Sequence, residues 1–334
     1  METSQVLRRI VWVSVPLILL LLAFGLIGIS VGSSRLSMLD AAAALFRGGG
    51  EDSVVAGIVW RIRLPRVILG ALVGSTLSLG GLVFQALLRN PLAEPYILGI
   101  SGGSAVGAII GILLGFSRIP GVCLMAFSGS MAVLAMVLFM GASGIRLKND
   151  ALLLSGVMIN AFCSSIITFL ISLSQDARIH NILFWLMGDL SLPDLSQAGV
   201  LLLIVLPCFL VIFRLSNVMN LLLMGKEAAQ TMGVNTTRAT LILLVSTSLM
   251  VSATVSYCGL LGFVGLVMPH LLRLVLGPDH RVLVPACVLG GGAYMILCDI
   301  FARVLPAQGE MPTGVITAMI GAPLFIYLLK RSRG

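Results

Sequence analysis

Few residues in this sequence have the type and spacing to make or break a bond. Gly99-Ile-Ser-Gly-Gly103 fits G-x-S-x-G, the nucleophile elbow of serine hydrolases, and also the G-x-S-G of intramembrane proteases, with His270 as a conceivable base. An elbow needs a strand, a sharp turn and a helix, and the apolar sequence around Ser101 reads as helix throughout. Gly225-Lys226 lacks the earlier glycine and the following hydroxyl of a phosphate-binding loop, so ATP has no such cradle here. Cys123, Cys163, Cys208, Cys258, Cys287 and Cys298 stand singly in apolar runs with no C-x-x-C pair. They read as small buried apolar residues, and neither a metal site nor a resident cofactor is expected. Asp299 is the clear candidate for ion coupling within a span, yet Arg303 lies four residues on along the same face and can neutralise it. Glu94 reads as a solvated loop charge or a partner for a nearby arginine, His180 and His280 carry no pattern of their own, and Asn235-Thr-Thr237 is a glycosylation sequon on what reads as the cytoplasmic side.

What remains is recognition and conduction rather than catalysis, and the elements around these residues say where. Of 334 residues, 58% are hydrophobic and 10% charged, where a soluble domain carries about a quarter charged. The expected fold class is an all-α polytopic membrane protein, because unbroken apolar runs exclude the alternating strands of a barrel. Apolar blocks lie at 10–31, 65–88, 96–115, 121–141, 151–173, 197–213, 239–268, 282–302 and 312–329. The basic residues Arg8-Arg9 and Lys330-Arg331 at the two ends place both termini in the cytoplasm, which demands an even number of crossings. The block 239–268 is too long for one span of about 20 residues, and Gly259, Gly262 and Gly265 offer places to break it. Splitting it gives about ten transmembrane helices in one domain, residues 1–334. Thirteen of the 21 Lys and Arg side chains then fall inside, and their scatter among the loops argues against nucleic acid. The loop 32–64 runs against the charge bias. Trp60 and Trp185 fall at the outer boundary and Trp12 at the inner one. Gly99, Gly103, Gly107, Gly111 and Gly115 form a ladder that lets helices approach closely in lipid.

On the cytoplasmic side, Met224, Ala228 and Met232 recur every four residues, which predicts a short amphipathic helix over about 224–235 ended by Gly233. It is too short to stand alone in water and wants either a partner groove or the bilayer surface. Asn90-Pro91 through Pro95 predicts a stiff non-helical link, in which Asn90 can cap the adjacent backbone.

Glu227-Ala228-Ala229 followed by Gly233 resembles the coupling-helix motif of ABC importer permeases. Arg63-Leu-Pro-Arg66, Asn90-Pro-Leu-Ala-Glu-Pro95, Gly262 to His270, Asp279-His-Arg281 and Pro312 to Pro323 are similar, in order, to the FecCD branch that imports ferric siderophores, haem and cobalamin. The resemblance implies a type II permease bundle in a bacterial or archaeal cytoplasmic membrane. It implies a second permease copy (the same chain or a paralogue), a cytoplasmic ABC ATPase dimer and an extracytoplasmic solute-binding protein. Met224, Glu227, Ala228, Ala229, Met232 and Gly233 would couple to the ATPase. Arg63, Arg66 and Arg303 would dock the binding protein, with helix-end anchoring as the plainer role. Asn90 and the loop 141–150 would close the inner end of the path. The cargo implied first is a ferric siderophore, with cobalamin or haem as alternatives. An ion-coupled secondary transporter is the rival from another class, disfavoured by spans almost empty of charge.

Overall fold

The computed structural model describes residues 3–32, 43–45, 54–143, 146–147, 149–174, 176–191, 194–306 and 309–332. Its helices are α1 Thr3–Ser30, α2 Val54–Ile58, α3 Leu64–Leu88, α4 Ile100–Leu113, α5 Cys123–Gly141, α6 Asn149–Ser172, α7 Asp176–Met187 and α8 Leu195–Arg214. They continue as α9 Ser216–Met224, α10 Lys226–Thr231, α11 Thr236–Cys258, α12 Val264–Leu276, α13 His280–Val304 and α14 Thr313–Ser332. A minimal hairpin, β1 Ala142–Ser143 with β2 Arg146–Leu147, sits between α5 and α6. Helices dominate because a chain in lipid must satisfy its backbone within each segment.

Among the described residues, seven helices are long and apolar enough to cross a membrane, and Ile100–Leu113, Val264–Leu276 and Thr313–Tyr327 are shorter apolar ones. The long block divides at Gly259–Gly262: α11 stops at Gly259 (φ +73°) and α12 starts after Phe263 (φ +67°), while Gly265 stays helical. The segment expected as an outer loop over 32–64 is helical from Val54, and Val54–Leu88 forms one 35-residue helix. At about 1.5 Å per residue this exceeds a hydrocarbon core of about 30 Å, so its first turns rise beyond the core. α7 was not expected, since its mixed polar and apolar residues make no apolar block. It buries Trp185, which is therefore no belt residue, whereas Trp12 is 70% exposed.

The chain folds as two compact units, each drawn from distant segments, and no shift in composition marks them. One comprises Met1–Leu79, Asp189–Ile204 and Gly262–Gly334; the other Gly80–Gly188 and Val205–Leu261. In the first unit, α3 and α13 cross backbone to backbone. A Cβ on Gly74 would stand 2.2 Å from the Gly291 carbonyl oxygen, and one on Gly291 would stand 2.4 Å from that of Gly74. In the second unit, the glycine ladder of α4 packs on α5, where a Cβ on Gly103 or Gly107 would collide with the Gly129 or Met125 carbonyl. Ser101 is the second residue of α4 and is preceded by the 3-10 turn Pro95–Leu98 and not by a strand, which removes the elbow reading.

Candidate functional site

The first candidate site is an arginine cluster built by the α3–α13 crossing. Arg66 lies eight residues before Gly74 and Asp299 eight residues after Gly291. A close antiparallel crossing therefore brings the two side chains to the same height. Arg66 Nε donates to both Asp299 carboxylate oxygens at 2.9 and 3.1 Å, and its Nη1 donates to Glu310 Oε2 at 2.5 Å. Arg303 Nε lies 3.1 Å from Asp299 Oδ2, and Thr313 Oγ1 donates to Asp299 Oδ1 at 3.3 Å. Asp299 thus holds two guanidiniums and a hydroxyl while only 1% exposed. Such a buried group is tolerable only because its charge and lone pairs are met.

Arg63 and Arg303 do a second job at the end of α1. The last turn of a helix leaves carbonyls without partners. Arg63 Nη1 donates to the Ile29 and Ser30 carbonyls at 2.8 and 2.6 Å, and Arg303 Nη1 to those of Gly28 and Val31, both at 2.9 Å. A local widening of the helix over Val59–Arg63, in which the Leu64 amide donates five residues back to Val59, lets Arg63 and Arg66 both turn inward. Arg63, Arg66 and Arg303 are 4%, 3% and 8% exposed. A cavity of about 220 Å³ opens among them, bounded also by Glu310, Ile58 and Ile62. The three arginines that the resemblance names for docking stand together, and Arg63 and Arg303 also tie down the end of α1. Glu310 and Thr313 were missed by sequence reasoning, as was the pairing of Asp299 with Arg66. The signal available was a lone buried aspartate with more arginines nearby than its one local partner.

The second candidate site is the segment expected to couple to the ATPase, and it differs from the single helix expected over 224–235. Gly225 takes a positive φ (φ +129°, ψ +148°) that a helix cannot include and cuts the segment in two, so Met224 ends α9 and only Lys226–Thr231 form α10. Met232 lies beyond α10, and Ala229, not Ala228, is the fully buried residue. Met224 and Met232 are 67% and 57% exposed, and Glu227 is exposed with them. Gly233 (φ +83°) ends α10 as expected: its amide donates to the Gln230 carbonyl and that of Val234 to the Ala229 carbonyl. Asn235 Oδ1 then caps α11 by accepting from the Arg238 amide at 3.0 Å, and Gln230 Nε2 donates to Thr236 Oγ1 at 3.0 Å. The segment is short, follows directly on α9 and is pinned to α11 at its C-terminal end.

Asn90 is half-buried and closes its own turn, its Oδ1 accepting from the Leu92 amide at 2.9 Å and its carbonyl from that of Ala93 at 3.0 Å. The link beyond it is fixed by Tyr96, whose hydroxyl donates to the Leu261 carbonyl at 3.0 Å and accepts from the Leu261 amide at 3.1 Å. Of the loop 141–150, residues 144, 145 and 148 lie outside the described residues. Along α6, Asn160, Ser164, Ser165, Thr168 and Ser172 are exposed beside Met158, Phe162 and Phe169. The four hydroxyls donate to carbonyls three or four residues back. This polar stripe was not anticipated from the sequence. Among the described residues no group of three or more His, Cys, Asp or Glu is placed to hold a metal.

Residues 19–331 match the FecCD transport family. The chain is 37% identical over 330 residues to the vitamin B12 import system permease protein BtuC of Citrobacter koseri, covering 99% of this chain and 97% of that one. It is 39% identical over 279 residues to the protein of the same name from Escherichia coli O9:H4, covering 82% and 84%. A solved metal-chelate type ABC transporter in an inward-facing conformation superposes with a TM-score of 0.84 at 31% identity, covering 96% of this chain and 99% of that one. PsaBC from Streptococcus pneumoniae shares the fold alone, at 14% identity and a TM-score of 0.56. With the helical architecture above, these matches place the chain in the FecCD transport family, as a multi-pass permease subunit of an ABC importer of the cytoplasmic membrane and not an enzyme.

Proposed function

We propose that this chain forms the membrane path for a metal chelate, with cobalamin as the leading cargo and a ferric siderophore as the second. The observation that carries the first is a near-full-length likeness to permeases named for vitamin B12 import, 37% identical over 97% of the relative's length. The second rests on the resemblance to the branch whose cargoes include ferric siderophores, and on the metal-chelate description of the structural neighbour. ATP is hydrolysed by a separate subunit. Its docking place is α10 with the exposed Met224 and Met232, where a short helix continuous with α9 and bonded to the start of α11 can transmit a push into both. A second permease copy completes the path. The mixed hydroxyl and thioether face of α6 suits the wall of such a path, because its hydroxyls are already bonded to backbone and grip a passing solute weakly. Asn90 and the loop 141–150 close the inner end. A solute-binding protein docks at the arginine cluster from outside, where its carboxylates reach Arg63, Arg66 and Arg303 through the cavity.

The test is uptake by cells that lack their own permeases but express this chain with its partners. Labelled cyanocobalamin should accumulate, and accumulation should survive an uncoupler while ATP is maintained. Accumulation of a ferric siderophore without cobalamin would install the second cargo. Collapse of uptake under the uncoupler at constant ATP would sink the ABC mechanism in favour of ion coupling.

A further inference from the structure

We infer that Glu310 is an exchangeable counter-ion, holding on Arg66 the place that a partner's carboxylate takes when it docks. The inference rests on the docking reading of the arginine cluster. The two acidic residues of the cluster are held very differently. Asp299 is gripped by Arg66, Arg303 and Thr313 and its side chain is 2% exposed. Glu310 touches Arg66 through one oxygen, at Nη1, and its side chain is 38% exposed. It stands on the short turn between α13 and α14, beside Gly309 (φ +74°), in a stretch tied back by the Met311 amide to the Ala302 carbonyl at 3.1 Å. Asp299 is thus the fixed counter-ion and Glu310 the one at the rim.

The charges around the cavity give the exchange its direction. Arg63, Arg66 and Arg303 set three positive charges against the two carboxylates. With Glu310 seated the cluster has one net positive charge, and with Glu310 withdrawn it has two. The buried Arg303 Nη2 already has no hydrogen-bond partner. An incoming carboxylate therefore meets a cluster that is still positive, and takes the Arg66 Nη1 site by replacing a neighbour of the same chemistry. Such an exchange makes docking weaker and more readily reversed than it would be on unoccupied guanidiniums.

The test uses the assembled transporter in nanodiscs and, as probe, the solute-binding protein that stimulates its ATP hydrolysis. Glu310→Gln keeps the size and position of the side chain and removes its charge. It should tighten docking about tenfold at low salt and steepen the dependence on ionic strength. Unchanged or weaker docking by Glu310→Gln, with wild-type docking still weakening from about 50 to about 500 mM salt, would overturn the inference alone and leave Glu310 as a brace. Wild-type docking that ignores salt over that range would overturn the docking reading itself, and the exchange with it.

Discussion

Asp299 links α13 to α3 and to the start of α14 through three side chains, all buried. Removing one partner of a buried ionic group leaves the others uncompensated, at a cost of about 3–5 kcal/mol. Asp299→Ala strands Arg66 and Arg303 together, so its unfolding midpoint in mild detergent should fall by an amount matching that cost. Asp299→Asn, which keeps the bond to Thr313, should fall less. An unchanged midpoint for Asp299→Ala would mean that the arginines find water or other partners. The sequence places Asp299 and Arg303 on one helix face, and that local pairing is present in the fold. Its pairing with Arg66, 233 residues earlier in the chain, was not legible, because no periodicity reports where two distant helices cross. Glu310 was harder still, a charge in a polar turn with nothing nearby to explain it.

At the scale of elements, the long apolar runs give the spans closely, since backbone satisfaction in lipid leaves little choice but helix. Sequence periodicity fails where the helix is short. Met224, Ala228 and Met232 keep a four-residue spacing that suggests one apolar face, yet Gly225, at a positive φ, divides them and leaves both methionines outward. α7 went unseen for the opposite reason, its polar residues hiding a helix that does not span. Because Met224 and Met232 are exposed, changing both to Lys should leave the permease folded and its elution profile unchanged. Co-purification of the ATPase subunit should drop at least tenfold, as expected for losing apolar anchors from a docking face. Retention of the ATPase by this double variant would move the docking face elsewhere.

For the whole molecule, the family and its architecture were readable from a set of short motifs taken in order. What each motif does locally was often plainer than its membership suggests. Asp279-His-Arg281 is a helix cap, with Asp279 Oδ1 accepting from the Arg281 amide at 3.0 Å, and Arg63-Leu-Pro-Arg66 ties down the end of α1. That tie has a counterpart at the other end, where the Arg9 guanidinium donates to the Leu276 carbonyl at the close of α12. α1 is about 42 Å of helix by its 28 residues, about 32 Å of it between Arg9 and Ser30, and no side chain in its most apolar window is buried. A rod fastened at its two ends, packed on α13 along one side through residues such as Leu21, Phe24 and Ile27 and open to acyl chains along the other, registers the thickness of the bilayer. Thin membranes will press on both fastenings and thick ones will stretch them, at a fraction of a kcal/mol per ångström. Reconstituted into lipids of graded chain length, the transporter should turn over fastest at an intermediate thickness, and Arg9→Gln should flatten that dependence.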